Sequence, residues 1–192
     1  MPYLSNAKAL AVAAAICCSA STVARAAETV IVEGAARNCF VDATLASPAS
    51  DSITTCTAAL DSDALSIEDR AATFINRGII KERLSDLQGA LTDFNQGVNI
   101  RPDLADAYLN RGAVLIKLSR FSEANADLDR AVSLASLNLH VIFYNRGQAR
   151  EHVGDLSGAC ADYKLALSLQ PNYAPAREKI GACRYAVKAK PN

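Results

Sequence analysis

Apolar residues recur at steps of three and four along most of the chain. From Ala71 to Tyr173 this spacing fills six stretches of about a dozen residues, separated by polar turns such as Ser85-Asp86 and Gly154-Asp155. Steps of three and four place apolar side chains on one face of an α-helix, and the polar turns mark where each helix ends. The pattern therefore predicts an all-α chain that contains three consecutive helical hairpins.

The three hairpins are copies of one unit centred on Asn-Arg-Gly. The segment 74–78 returns as 108–112 and 143–147, at steps of 34 and 35 residues. The units are residues 71–104, residues 105–138 followed by the extra residue Leu139, and residues 140–173. The other positions that recur in register are Leu84, Leu118 and Val153; Leu87, Phe121 and Leu156; Ala90, Ala124 and Ala159; and Phe94, Leu128 and Tyr163.

Small residues and prolines fall where a stack of hairpins needs them. The glycine of each Asn-Arg-Gly and the recurring alanine lie where two helices must approach closely, and Pro102 and Pro171 end hairpins because proline cannot continue a helix. Ser66 with Asp69 three residues later resembles a capping box, so we expect the first repeat helix to begin there.

This pattern resembles the tetratricopeptide repeat (TPR) family, which has an aromatic residue at the fourth place, glycine at the eighth, alanine at the twentieth, an aromatic residue at the twenty-fourth and proline at the thirty-second. The resemblance covers residues 66–185. It implies an all-α TPR solenoid, a right-handed superhelix of three hairpins that binds other proteins. The departures affect single packing sites; they are Lys81, Leu115 and Arg150 for tyrosine, Gly97 for alanine, and Ser136 for proline.

The first 26 residues predict a secretory signal peptide. Lys8 supplies the positive start, residues 9–20 the apolar stretch, and Ala24-Arg25-Ala26 the cleavage site. A membrane anchor would need about 20 apolar residues, and Ala15-Ile16 before Cys17 is a poor lipid-attachment signal. We therefore expect cleavage after Ala26 and a protein that is periplasmic or secreted, with no integral membrane span. The signal and the Asn-Arg-Gly unit together resemble a group of exported bacterial envelope TPR proteins.

Shorter helical pieces flank the repeats. Residues 27–65 are predicted to hold an arm and a helical pair, 35–46 and 51–63, around Ser47-Pro48. Residues 174–192 are predicted to form the capping helix that an open stack of repeats requires, followed by a tail.

Four cysteines remain after signal removal, and they allow three pairings. In an antiparallel helix pair, residues equidistant from the turn lie level. The midpoints of Cys39 with Cys56 and of Cys160 with Cys183 both fall at proline turns, so we predict these two disulfides. Each would close a loop of about 20 residues and add about 3 kcal/mol of stability. A redox role is the alternative, although no Cys-x-x-Cys is present.

An arginine occupies the seventh place of every repeat, and an aspartate follows 16 residues later. The constant offset predicts ion pairs, either within a repeat or across to the next one, as in Asp93 with Arg111. Arginine suits this role because its planar fork can hold a carboxylate bidentately. The alternative is that the arginines hold a carboxylate of a partner. The residues concerned are Arg77, Arg111 and Arg146 with Asp93, Asp127 and Asp162.

The resemblance implies that the sixth-place asparagines face a concave groove. In relatives that hold a peptide's terminal carboxylate, lysines at the second place assist the asparagines. Here the second place has Ala72, Asp106 and Val141, so we expect no preference for acidic chain ends. The alternative is that the asparagines only bond neighbouring backbone or helices. The expected groove residues are Ile75, Asn76, Ile79, Leu109, Asn110, Ala113, Ile116, Tyr144, Asn145 and Gln148, edged by Glu82 and Glu151.

Charge and motif content exclude other classes of function. Signal removal leaves 18 basic and 20 acidic residues, a formal net charge of −2 with no basic stripe for nucleic acid. His140 and His152 lie about three turns apart on one predicted helix, too far to share a metal ion, and no phosphate loop or nucleophile motif is present. We expect no enzyme activity and no cofactor. The sequence favours a scaffold for a protein or peptide partner, with a small-ligand or peptidoglycan-fragment receptor as the alternative.

Overall fold

The computed structural model describes residues 34–45, 51–62, 65–134 and 137–186. Within these ranges the chain forms nine helices and no strand. The predicted signal peptide, the arm up to residue 33 and the tail after residue 186 lie outside the described residues. The helices are α1 34–44, α2 Ser52–Leu60, α3 Ile67–Arg83, α4 Leu87–Ile100, α5 Ala105–Lys117, α6 Phe121–Ser133, α7 Leu139–His152, α8 Leu156–Leu169 and α9 Ala174–Ala186.

The predicted all-α series of three hairpins is confirmed. The hairpins are α3 with α4, α5 with α6, and α7 with α8, and each second helix packs against its own first helix. The chain divides into two compact units, Met1–Arg101 and Pro102–Asn192. In the first unit α2 also packs against α3; in the second, α6 packs against α7 and α8 against α9.

The cores consist of apolar side chains at the repeating positions. Phe94 and Ile80 are fully buried in the first unit, and Leu128, Ile142 and Tyr163 are fully buried in the second. Burial of each such side chain contributes about 1.5–3 kcal/mol relative to exposure in water. Packing rather than helix propensity therefore supplies most of the stability of these short helices.

The eighth-place glycines allow the two helices of each hairpin to approach closely. A Cβ atom on Gly78 would lie 2.7 Å from the ring of Phe94, and one on Gly147 would lie 2.5 Å from the ring of Tyr163. In the middle hairpin a Cβ atom on Gly112 would lie 2.9 Å from Leu128. The twenty-fourth-place side chain thus fills the space that a larger eighth-place residue would need.

Each hairpin turns through one residue in the left-handed region. The residues are Ser85 with φ 66°, Ser119 with φ 60° and Gly154 with φ 87°. The following amide closes the turn; for example, Asp86 N donates to Lys81 O at 2.8 Å. Asp86 then accepts from Gly89 N and so caps the start of α4. A positive φ costs little for glycine but about 1 kcal/mol for other residues.

Replacing Ser85 with glycine is therefore expected to raise the free energy of unfolding by about 1 kcal/mol, because the strain at this turn disappears. The reverse change at the equivalent turn, Gly154→Ala, is expected to lower it by a similar amount. Urea denaturation followed by circular dichroism measures both. Destabilisation by Ser85→Gly would contradict the left-handed assignment.

Two arginines attach the amino-terminal helices to the first repeat. Arg83 Nη1 donates to the carbonyl oxygens of Ala43 and Leu45, both at 2.5 Å, at the end of α1. Arg70 donates to the carbonyls of Leu60 and Ser62, each at 2.7 Å, at the end of α2. Cationic side chains here satisfy carbonyls that have no partner within the helix and complement the negative end of the helix dipole.

The helix ends agree with the sequence signals. Ser66 Oγ accepts from Asp69 N at 3.0 Å, so α3 begins where the capping box indicates. Helices α4 and α8 end shortly before Pro102 and Pro171. Among the described residues, the first helix of the amino-terminal pair covers 34–44, where a helix was expected over 35–46.

Candidate functional site

Every seventh-place arginine holds the aspartate of its own repeat bidentately. Arg77 Nε and Nη2 donate to the two carboxylate oxygens of Asp93 at 2.9 and 2.7 Å. The distances from Arg111 to Asp127 are 2.7 and 2.6 Å, and those from Arg146 to Asp162 are 2.9 and 2.6 Å. The pairs lie within each repeat, one of the two arrangements that the 16-residue offset allows.

The aspartates of these ion pairs are buried. Asp93 and Asp162 are 1% exposed and Asp127 is 7% exposed. The hydrogen bond to the aspartate is the largest cause that raises the pKa of Arg111 and of Arg146 above the ordinary arginine value. A carboxylate at such depth persists only because its cation and hydrogen bonds replace water.

A second cation joins the aspartate in the first and third repeats. Lys81 Nζ lies 2.8 Å from Asp93, and Arg150 Nη1 lies 2.9 Å from Asp162. Both cations occupy the eleventh place, where the family often has tyrosine. This role was not predicted from the sequence, although an interval of four residues from the seventh-place arginine places both cations on one helix face. The middle repeat has Leu115 there.

The same arginines also contact neighbouring elements. Arg77 Nη1 donates to Thr57 Oγ1 of α2 at 2.9 Å, and Arg146 Nη1 donates to Asp129 Oδ1 of α6 at 2.8 Å. Each guanidinium lies 5.2–5.5 Å from the ring centre of the aromatic residue at the fourth place of its repeat, a cation–π distance. This geometry favours a structural role over the capture of a partner's carboxylate.

Four of the expected groove residues are buried. Ile75 is fully buried, Asn76 is 1% exposed, and Ile79 and Leu109 are each 7% exposed. Ile75 packs against Gly97 of α4; a Cβ atom on Gly97 would lie 2.7 Å from Ile75 Cγ1. The glycine that replaces the family's alanine therefore leaves room for Ile75 in the core.

The other six expected groove residues are half-buried and belong to the second unit. Helices α5 and α7, which contact each other, carry them at helical spacing on one side of each helix. We call these residues the α5/α7 surface. They are Asn110, Ala113 and Ile116 of α5, and Tyr144, Asn145 and Gln148 of α7.

Tyr144 of the α5/α7 surface contacts three neighbouring side chains. Its hydroxyl accepts from Gln148 Nε2 at 3.1 Å, and its ring packs at 5.9 Å from Tyr163 and edge-on at 5.5 Å from Tyr173. Burial raises the pKa of Tyr173. Tyr144 is thus packed against two other tyrosines, and part of its side chain stays exposed beside Asn145 and Gln148.

The sixth-place asparagines are not equivalent. Asn76 Oδ1 and Asn110 Nδ2 are buried and have no hydrogen-bond partner among the described residues. Asn145 is half-buried on the α5/α7 surface. Neither of the first two atoms is accessible to a partner, so Asn145 is the asparagine best placed for contact.

A three-residue network lies where α7, α8 and α9 meet. Tyr163 Oη donates to Glu151 Oε2 at 2.6 Å, and Lys179 Nζ donates to the same oxygen at 2.9 Å. Burial alone raises the pKa of Glu151, but the two hydrogen bonds outweigh it and the pKa lies below its ordinary value. Burial and the bond to Glu151 raise the pKa of Tyr163. The network is therefore complete at neutral pH and weakens as acid protonates Glu151.

The histidines have aromatic partners. His152 stacks on Phe121 with ring centres 4.1 Å apart, and His140 packs edge-on against Tyr173 at 5.2 Å. Within the part of the chain that the structure describes, no three His, Cys, Asp or Glu side chains are grouped to hold a metal ion. In that same part, every helix is too short or too polar to cross a membrane.

The cysteines are joined in the expected pairs. Cys39 of α1 bonds to Cys56 of α2, and Cys160 of α8 bonds to Cys183 of α9, with Cα–Cα distances of 4.8 and 5.6 Å. Each disulfide connects a flanking helix to its neighbour in sequence.

Comparison with known proteins agrees with this architecture. The tetratricopeptide repeat model matches residues 105–136 and 141–173. The chain carries tetratricopeptide repeats. Among curated relatives, protein unc-45 homolog B of Mus musculus is 31% identical over 107 residues, which are 54% of this chain and 11% of that protein.

Solved structures share the TPR fold. MamA from Desulfovibrio magneticus RS-1, from residue 41 to its end, matches with a TM-score of 0.70 and 19% identity over 84% of this chain and 86% of that one. The first TPR domain of Spaghetti (RPAP3), bound to the HSP90 peptide SRMEEVD, matches with a TM-score of 0.61 and 22% identity over 67% of this chain and all of that one. At these identities the likeness establishes the fold alone.

Proposed function

We propose that this TPR protein is a non-enzymatic scaffold that binds a segment of a partner protein on the α5/α7 surface. The observation that carries the proposal is the half-buried row of Ile116, Tyr144, Asn145 and Gln148, which combines apolar anchors with amide groups. Partly buried aromatic and aliphatic side chains supply most of the energy at protein interfaces. Amide side chains can bond the backbone of an extended peptide or the polar edge of an amphipathic helix.

The chemistry of the surface argues against a partner with an acidic chain end. TPR domains of RPAP3 bind the peptides SRMEEVD and SGPTIEEVD, which end in a cluster of carboxylates. Here the second places hold Ala72, Asp106 and Val141, and the seventh-place arginines are engaged by aspartates. A neutral segment with one or two apolar anchors suits the α5/α7 surface better.

An exported location fits the covalent structure. Two disulfides join the flanking helices, and disulfides persist in oxidising compartments such as the periplasm and the extracellular space. With the signal sequence at residues 1–26, we place the protein in the periplasm or outside the cell, where it assists envelope assembly. The proposed organisation is a stapled helical pair up to residue 65, three repeats over 66–173 and a capping helix from 174.

The substitution Ile116→Asp is expected to reduce capture of protein partners from an envelope extract at least about tenfold, because it places a charge in the apolar part of the interface. Affinity capture with quantitative mass spectrometry measures this loss. The matched control is Leu165→Asp, an equivalent charge change at a position of α8 that is 44% exposed. Melting temperatures of both variants verify that they are folded.

Equal recovery of partners by wild type and Ile116→Asp would contradict the proposed surface. A third outcome would support the alternative function, a receptor for a small ligand or a peptidoglycan fragment. In that case no protein is captured specifically, and a soluble envelope fragment raises the melting temperature of wild type but not of Ile116→Asp.

A further inference from the structure

Three of the contacts that attach helix α9 to the last repeat lie close together along the chain. Lys179 bonds Glu151 of α7, and Cys183 forms the disulfide with Cys160 of α8. Ile180 packs against the buried cluster formed by Ala159, Cys160, Tyr163 and Cys183. Lys179 and Cys183 are four residues apart, so they lie one turn apart on the same side of the helix. The disulfide is the only covalent one of these three contacts.

The two disulfides differ in their protection. Cys39 and Cys56 are both 0% exposed, and Cys39 Sγ lies 3.9 Å from the carbonyl oxygen of Thr73 in α3. The two bonds from Arg83 also hold the end of α1 in place. Cys160 and Cys183 are 5% and 8% exposed. Because the cysteines of the carboxyl-terminal disulfide are slightly more exposed, we expect a reductant to reach this disulfide first.

We infer that the disulfide between Cys160 and Cys183 is a redox-sensitive latch that controls whether α9 stays docked. A thiolate of a dithiol attacks one cysteine sulfur, the S–S bond breaks, and the other cysteine leaves as a thiolate. The second thiol of the reductant then attacks the mixed disulfide and releases the first cysteine. The dithiol is oxidised to a cyclic disulfide, and its two protons go to the two cysteine thiols.

Opening the latch uncovers apolar surface. Ala159 and Tyr163 of α8 lie in the same cluster as the disulfide, and Tyr144 of α7 packs against this cluster. The latch is thus adjacent to the α5/α7 surface through Tyr144, but its existence does not depend on what that surface binds. After reduction, the contacts that still hold α9 are non-covalent; they include the packing of Ile180, the burial of Ala176 and the bond from Lys179 to Glu151.

The order of reduction tests the first step. The native protein is treated with increasing dithiothreitol without denaturant, alkylated and mapped by mass spectrometry. We expect Cys160 and Cys183 to be alkylated while Cys39 and Cys56 remain linked. Reduction of the amino-terminal disulfide first, or of both disulfides at the same dithiothreitol concentration, would overturn the inference.

Hydrogen exchange tests the second step. In the selectively reduced protein, amides of α9 are expected to exchange roughly 100-fold faster than in the oxidised protein, while amides of α5 and α6 change little. Binding of an apolar dye is expected to rise in parallel. Unchanged exchange in α9 after reduction would refute the latch.

The double variant Cys160→Ala/Cys183→Ala is expected to show fast exchange of α9 without any reductant. The matched control, Cys39→Ala/Cys56→Ala, should keep the slow exchange of α9. Should either variant fail to fold, the reduction of wild type alone still decides between the outcomes.

Discussion

Replacing Asp162 with alanine is expected to lower the free energy of unfolding by about 3–5 kcal/mol, which is typical when one member of a buried ion pair is removed. The carboxylate is the acceptor for both Arg146 and Arg150. Without it, two positive charges between α7 and α8 face each other with no common acceptor. Urea denaturation monitored by circular dichroism measures the loss.

Asp129→Ala supplies the control for Asp162→Ala. Asp129 also bonds Arg146, but its side chain is 58% exposed. Exposed ion pairs contribute about 0–1 kcal/mol, so this variant should be nearly as stable as wild type. Equal effects of the two substitutions would show that burial does not set the strength of these pairs.

Replacing Gly147 with alanine is expected to lower the free energy of unfolding by about 2–3 kcal/mol, because the added methyl group overpacks the hairpin. Its Cβ atom would lie 2.5 Å from Tyr163 Cε1. The tyrosine cannot easily move, because its hydroxyl bonds Glu151 and its ring packs against Tyr144. Thermal unfolding in a calorimeter measures the effect.

Gly181→Ala is the matched control, because it makes the same change in helix α9 where no neighbouring atom lies within 4 Å of the new Cβ. Alanine favours the helix over glycine by about 1 kcal/mol, so this variant should gain stability. A gain at Gly147 as well would show that steric contact with Tyr163 does not limit this position.

The hairpins could be predicted from sequence because their periodicity is local. An interval of three or four residues fixes which side chains share a helix face, and constant offsets fix which helices pair. The same reasoning connects Arg77 with Asp93 and Cys160 with Cys183, since both pairs lie across a single turn. Each of these contacts joins elements adjacent in sequence.

The candidate groove was harder to predict because exposure depends on neighbours. Ile75 and Tyr144 occupy the same place in their repeats, but only Ile75 is fully buried. The missing side chain of Gly97 leaves room for Ile75 in the core, since a Cβ atom there would lie 2.7 Å from Ile75 Cγ1. Periodicity assigns both residues to one helix face, but it does not predict what fraction of each side chain is buried.

The contact between α6 and α7 has a consequence for the order in which the chain assembles. Synthesis delivers the amino terminus first, so α6 is available before α7 and α8 emerge. Asp162 and Arg150 belong to the last hairpin, whereas the bond from Arg146 to Asp129 joins that hairpin to α6 of the preceding one. Because Asp129 is exposed and its bond contributes little, packing of α7 against α6 rather than this bond would supply most of what the preceding repeat adds to the folding of the last one.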